Sequence, residues 1–198
     1  MHCSTALQCA SRSVALNSLP DPAVAFKNAD LVVDETAVTA ALGRMARAIN
    51  ETYNDRSPLV LGVMLGGLVP LVRLMRLFTF PHTVDYLHAT RYRGATSGGQ
   101  LEWRVAPPQD LQGQDVLIVD DILDEGITLA AITEELASKN PASLRTAVLV
   151  QKRLSRAVPV PMVADFVGLE VPDRYVFGCG MDYRGFFRNL DAIYALAE

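Results

Sequence analysis

Four carboxylates, Asp120, Asp121, Asp124 and Glu125, fall within six residues of the run Val116-Leu-Ile-Val-Asp-Asp-Ile-Leu-Asp-Glu-Gly-Ile-Thr128. The run opens as an apolar strand buried on both faces, and a helical pattern follows it. In open α/β sheets, ligands bind beyond the carboxyl ends of the strands, where the next helix also presents its N-terminal amides. Asp124–Thr128 therefore reads as a strand-to-helix turn able to cradle a phosphate. Gly126 permits the tight backbone, and Thr128 adds a hydroxyl donor or caps the helix. Acids beside a phosphate repel it unless they serve something else. Two uses fit: accepting hydrogen bonds from sugar hydroxyls, and holding a Mg²⁺ ion that also grips phosphates. The plainer alternative is that they cap the helix and complement its dipole. One or two acids suffice for that.

The elements that must position this run are legible from periodicity. Val38, Leu42, Met45, Ile49 and Tyr53 recur at three- and four-residue spacing and predict an amphipathic helix, with Asp34 or Thr36 capping its start. Leu59–Leu65 reads as a buried strand, Gly66-Gly67 opens into a helix over Leu68–Phe78, and Thr83–Ala89 is a second strand. Val116–Val119 is a third strand that ends at Asp120-Asp121, Thr128–Lys139 a helix, and Leu144–Val150 a fourth strand. Alternating strands and helices predict a parallel α/β sheet. Arg91–Pro108, rich in Gly, Ser, Thr and Pro, reads as a long mobile loop. Residues 1–30 read as a loose N-terminal segment, and the prolines beyond Arg153 suggest a small irregular cap.

Composition narrows the class. The 198 residues suit one domain, and half of them are hydrophobic, enough for a proper core. A net charge of −4 gives no basic footprint for nucleic acid. The three cysteines, Cys3, Cys9 and Cys179, make neither a disulfide framework nor a paired metal site, and a reduced cytoplasmic setting follows. The longest uncharged run, Leu59–Val72, is too short and too broken by Gly and Pro to span a bilayer. The first twenty residues lack the pattern of a signal peptide, so neither a membrane nor secretion is expected.

The acidic run resembles the phosphoribosyl pyrophosphate motif of type I phosphoribosyltransferases: apolar strand, two acids, two apolar residues, then Asp-x-Gly-x-Thr. Met64-Leu-Gly-Gly67 resembles that family's pyrophosphate-binding loop, and Lys152 its purine-facing lysine. Asp165–Tyr183 and Phe187-Arg-Asn-Leu190 resemble the C-terminal region of its hypoxanthine-guanine branch. The resemblance spans roughly residues 30–198. It implies a parallel-sheet α/β core flanked by helices, with a small hood built from the terminal segments. One domain would then comprise an N-terminal segment (1–33), a core (about 34–152) and a base-binding hood (about 153–198).

The implied reaction is attack of purine N9 on C1 of phosphoribosyl pyrophosphate, giving IMP or GMP and pyrophosphate. Asp120 and Asp121 would bind the ribose hydroxyls and the metal shell, and Asp124 would act as general base or acid at N7. Glu125, Gly126, Ile127 and Thr128 would hold the 5-phosphate. Leu65, Gly66, Gly67 and Arg188 would bind pyrophosphate. Lys152 would donate to O6 of a 6-oxopurine, Tyr175 would stack on the base, and the Val176 backbone would read its edge. Asp182 would bind a second Mg²⁺ beside the base. Arg91 and Tyr92 would belong to a lid that closes over the site. The resemblance also suggests a homodimer or homotetramer.

Four positions depart from the family pattern. Leu65 stands where many members carry Lys or Arg, His88 where Arg is common, Glu125 where Thr or Ser is common, and Ile127 where Lys is common. Only the Glu125 N–H is expected to face the phosphate. Cys179 falls in the base-binding segment. A xanthine-preferring enzyme, or a nucleotide-sensing regulator on the same fold, would share the motif, and Lys152 does not separate the 6-oxopurines from one another.

Overall fold

A computed structural model describes residues 20–91, 101–154 and 161–197. In chain order the elements are α1 (Pro22–Lys27), β1 (Asp30–Val33), α2 (Glu35–Tyr53), β2 (Leu59–Val63) and α3 (Leu68–Met75). There follow β3 (Thr83–Arg91), β4 (Leu101–Val105), β5 (Asp115–Leu123), α4 (Ile127–Ala137) and β6 (Ser143–Arg153). The chain closes with β7 (Phe166–Pro172), β8 (Val176–Phe177) and β9 (Ile193–Ala195).

Six strands form one sheet in the order β4-β3-β2-β5-β6-β7, parallel throughout except for β4. This is the parallel α/β core that the strand–helix alternation predicts. Strand β5 shows how the sheet buries both faces. Leu117 and Val119 enter a core shared with α2 and α3, while Val116 and Ile118 enter the opposite core beneath α4. Helix α2 supplies the first core through Val38, Leu42, Met45, Ile49 and Tyr53, all buried as the spacing requires. Its start is capped by Asp34, whose carboxylate accepts from the Ala37 amide. Among the described residues, a second sheet, β1-β9-β8, ties β1 to the last strands of the fold, and the turn that follows β8 brings Gly180 over the carboxyl end of β5 at Asp121. Asp21 caps α1, and β1 pairs with β9, so the end of the segment expected to be loose is held by a helix and a strand, while residues 1–19 of that expectation lie outside the described residues.

Three further expectations are corrected. The stretch read as one loop over Arg91–Pro108 contains β4, antiparallel to β3, with Trp103 packed on the α4 side of the core. The chain beyond Arg153 is not only an irregular cap, since β7 adds a sixth strand beside β6. Strand β5 does not stop at the acids. Its ladder with β6 runs on through Asp120, Ile122 and Leu123, because backbone pairing is indifferent to the charge of the side chains.

Candidate active site

Strand alternation sends Asp121 and Asp120 to opposite faces at the end of β5. Asp121, 8% exposed, faces α3. Asp120, half-buried, curls back so that its Oδ1 accepts from the Asp121 amide at 2.9 Å. Burial pushes the Asp120 carboxyl well above the usual carboxylate range, and the Asp121 charge adds to the rise. Burial raises Asp121 as well, opposed by its hydrogen bond with Asp120 and by the Arg188 guanidinium. The acids do not cap α4. Its N-cap is Gly126, in the left-handed region at φ +75°, and no side chain caps the helix. The amides of its first turn thus lack a side-chain acceptor, as an anion site requires. Glu125 and Thr128 are half-buried here, while the Ile127 side chain is exposed.

The second wall is the loop from β2 into α3. Its Met64–Leu65 peptide is cis, and the Gly67 amide donates to the Val63 carbonyl at 2.8 Å. A methyl group on Gly66 would collide with the Asp121 carboxylate, so glycine is what lets this loop lie on the acid pair. A third piece closes the stack from the hood. Gly180, at φ +107°, sits against the Gly66 carbonyl and the Asp121 Cβ with no room for a side chain. Leu65 points outward, 54% exposed.

The third wall lies toward β6 and the hood, where a cavity of about 210 Å³ opens between Asp121, Ile122, Asp124, Lys152, Tyr175, Val176, Met181 and Asp182. Lys152 belongs to β6 rather than following it, and its Nζ pairs with Asp124 Oδ2 at 2.9 Å. The Tyr175 hydroxyl donates to the Asp182 carbonyl at 3.2 Å, and the ring meets Tyr183 edge-on. Burial, and then the Asp182 charge, raise the Tyr175 phenol above its ordinary value. Asp182 has both oxygens engaged: Oδ2 accepts from the Gly185 amide at 2.6 Å, and Oδ1 lies 2.6 Å from Arg188 Nη2. Arg188 Nη1 also donates to the Gly180 carbonyl at 2.6 Å and stands 4.0 Å from Asp121 Oδ2.

Asp120–Thr128, Gly66-Gly67, Lys152, Tyr175, Val176, Asp182 and Arg188 are thus drawn around one cleft at the carboxyl end of the sheet. The structure adds pairings that sequence reading does not give, Lys152 with Asp124 and Arg188 with Asp182. Ile122 and Met181 line the cavity without having been singled out. Their signal is adjacency: Ile122 lies near the end of β5, two residues before Asp124, and Met181 lies next to Asp182. Cys179 does not line the cavity. It is buried in the α2 core, where loss of water pushes its thiol up to about 11. His88 pairs with Val105 at a register shift in β3 and lies outside the cavity lining. Arg91 ends β3, and Tyr92 lies outside the described residues.

Among the described residues no group of three or more His, Cys, Asp or Glu is placed to hold a metal. Mg²⁺ does not demand one, since it is commonly bound by one or two carboxylates plus substrate oxygens and waters. Asp120 and Asp121 fit that donor set: both are acids at the strand end, and burial disfavours their charged forms in a way that a bound cation would offset. Asp182 fits only once Arg188 has left it. No helix among the described residues is long and apolar enough to cross a membrane.

A cleft beyond the strand ends of a parallel sheet, with an uncapped helix N-terminus facing paired acids, defines a nucleotide- or sugar-phosphate-binding α/β protein. Comparison with known proteins narrows the class. The family model of the phosphoribosyl transferase domain matches residues 29–184. Hypoxanthine-guanine phosphoribosyltransferase of Aquifex aeolicus is 33% identical over 174 residues, covering 87% of this chain and 97% of that protein. Hypoxanthine phosphoribosyltransferase of Salmonella typhimurium is 35% identical over 164 residues, covering 81% and 91%. Among solved structures, hypoxanthine phosphoribosyltransferase from Staphylococcus aureus superposes with a TM-score of 0.80 at 27% identity, covering 88% of this chain and 95% of that one. A mutant hypoxanthine phosphoribosyltransferase from Trypanosoma cruzi, in a ternary substrates complex, gives 0.78 at 31% identity, covering 86% and 97%. The chain belongs to the type I phosphoribosyltransferase family, and these relatives place it with the hypoxanthine-guanine branch.

Proposed function

We propose that this chain is a purine-salvage enzyme that transfers the phosphoribosyl group of phosphoribosyl pyrophosphate to N9 of hypoxanthine or guanine. The observation that carries the reading is the Lys152–Asp124 pair at 2.9 Å on the cavity wall. A 6-oxopurine presents an acceptor, O6, beside N7 on one edge. The pair presents an ammonium donor beside a carboxylate acceptor, so one edge complements the other. Adenine carries a donor where O6 stands and meets the ammonium unfavourably.

Roles for the remaining residues follow from their places. The 5-phosphate sits on the uncapped start of α4, Gly126 to Thr128, and the ribose hydroxyls donate to Asp120 and Asp121. The pyrophosphate lies along the backbone of Leu65, Gly66 and Gly67 and takes the Arg188 guanidinium. The base enters between Tyr175 and the apolar wall of Ile122 and Met181, with the Val176 backbone at its edge. Asp124 accepts the N7 proton as N9 bonds to C1 and pyrophosphate departs through a transition state of oxocarbenium character. Asp120 and Asp121, joined by Asp182, would hold Mg²⁺. When bound, the ion supplies countercharge to the substrate and to the departing pyrophosphate.

The experiment is pyrophosphate release by purified protein given phosphoribosyl pyrophosphate and Mg²⁺ with hypoxanthine, guanine, xanthine or adenine in parallel. Turnover with the first two supports the reading, and none with any base overturns it.

Leu65, Leu68, Val72, Val84 and Tyr86 are all exposed: Leu65 in the loop before α3, Leu68 and Val72 on α3, and Val84 and Tyr86 on β3. Tyr86 is in register with Gly62, whose open side faces Leu71 of α3, so the two groups share one face of the sheet. This apolar surface fits a second copy of the chain and supports a homodimer or homotetramer. A monomer in analytical ultracentrifugation would remove that part of the proposal. A cytoplasmic setting completes it, checked by cell fractionation.

A further inference from the structure

We propose that Arg188 is an internal counter-cation: paired with Asp182, it holds that carboxylate closed against metal, and it releases it when pyrophosphate draws the guanidinium away. The inference rests on the function proposed above and deepens it.

The guanidinium is engaged from two sides. Nη2 lies 2.6 Å from Asp182 Oδ1, and Nη1 donates to the Gly180 carbonyl at 2.6 Å while standing 4.0 Å from Asp121 Oδ2. It therefore bridges the hood and the end of β5. The second oxygen of Asp182 is held by the Gly185 amide, which fixes the carboxylate in place to receive the arginine. Tyr175 holds the same turn through the Asp182 carbonyl.

A dication brought to Asp182 would sit within a few ångströms of this guanidinium, and two cations at that range repel strongly in a partly dehydrated cleft. Metal and Arg188 are thus mutually exclusive partners of one carboxylate. A pyrophosphate group reverses the preference, because it offers the planar guanidinium a bidentate anion in exchange. Its arrival frees Asp182 at the moment its own charge needs a metal. Free divalent cation alone reaches the acid pair only from the Asp120 side, because the guanidinium also stands 4.0 Å from Asp121 Oδ2, and the Asp182 position fills only together with the polyphosphate.

The test uses the full chain and Mn²⁺, counted by the electron paramagnetic resonance signal of the free aqua ion, without phosphate ligands. Wild type should bind one Mn²⁺ per chain, and Arg188→Gln should bind two. In a second arm, calorimetry with magnesium pyrophosphate should give binding at least about tenfold weaker in Arg188→Gln, the loss expected for one charge-assisted contact. A second Mn²⁺ on the wild type without pyrophosphate overturns the proposal, and this measurement does not need the variant to fold. A folded Arg188→Gln that still binds one Mn²⁺, or that binds magnesium pyrophosphate as tightly as wild type, overturns it too. Wild-type turnover is measured separately, so failure of the proposed function and failure of this exchange are told apart.

Discussion

Lys152→Met removes the ammonium while keeping a side chain of similar length, and the structure sets what should change. Lys152 is 13% exposed at its side chain and Asp124 49%, so the partner left behind can be rehydrated. Loss of the pair should therefore cost no more than about 1 kcal/mol of stability. In a chain of this size that is a shift of about 2–4 °C in Tm. The effect on base recognition is larger. A hydrogen bond from a charged donor is worth about 1.5–3 kcal/mol, which is about ten- to 150-fold in kcat/KM. On the proposed role of Lys152, the loss should fall on hypoxanthine and guanine, whose O6 would accept from the ammonium. Adenine should lose nothing, because its exocyclic amine gains from removal of a like donor. The ratio of kcat/KM for hypoxanthine over adenine should thus fall about ten- to 150-fold, with the KM for phosphoribosyl pyrophosphate within about threefold of wild type. Pyrophosphate release with each base, alongside thermal melts, measures both quantities. An unchanged ratio, or an equal loss for every base, would refute the reasoning that Lys152 reads O6.

Asp124→Asn should lower kcat about 10²- to 10⁴-fold with the melting temperature little changed, as loss of a general base does; undiminished turnover would remove Asp124 from proton transfer. Chelation of divalent cations should abolish turnover and added Mg²⁺ should restore it, whereas activity persisting in excess chelator would contradict a metal-dependent site. Burial pushes the Tyr53 phenol from about 10 to about 12. The folded chain therefore keeps a proton that the unfolded chain loses above about pH 10, and stability is full below that and falls as pH climbs toward 12. Tyr53→Phe should flatten this alkaline loss in denaturant titrations, and an unchanged slope would show that Tyr53 does not drive it.

The fold was legible wherever a strand is buried on both faces. Leu59–Val63, Val116–Val119 and Leu144–Val150 are largely apolar runs, and each forms the heart of a central strand. Strand β7 is poorly legible in the sequence because Gly168 interrupts it and Pro172 ends it. The same glycine explains why the strand works: a side chain there would strike the Leu149 carbonyl and Met45 of α2, so only glycine lets the helix pack this closely. Strand β4 hid differently. It is an edge strand whose pairing rests on backbone hydrogen bonds to β3 and whose side chains alternate between half-buried and exposed. For the site, the acidic run and the glycine loop could be read locally because each is a contiguous stretch. The Lys152–Asp124 and Arg188–Asp182 pairs could not. The first depends on the register of β6 against β5, the second on how the Asp182–Phe187 turn folds back, and neither register nor turn is written in local periodicity.

Leu65 and Ile127 are apolar where the family often places a cation. Both side chains point outward, 54% and 38% exposed, and neither lines the cavity. What remains for a phosphate is backbone: the first turn of α4, which no side chain caps, and the Gly66-Gly67 loop lying on Asp121. Side-chain charge in the cleft runs the other way. Asp120, Asp121, Asp124 and Asp182 stand against Lys152 and Arg188, and both cations are already paired with carboxylates. Burial blunts the excess by holding Asp120 and Asp121 above the usual carboxylate range, so that the pair resists carrying two full charges. A polyphosphate brings several more negative charges to that place, and backbone amides alone do not balance them. With so few cations around the proposed pyrophosphate site, binding there should depend on divalent cation arriving with the substrate, and on Arg188 being free to change partners when it does.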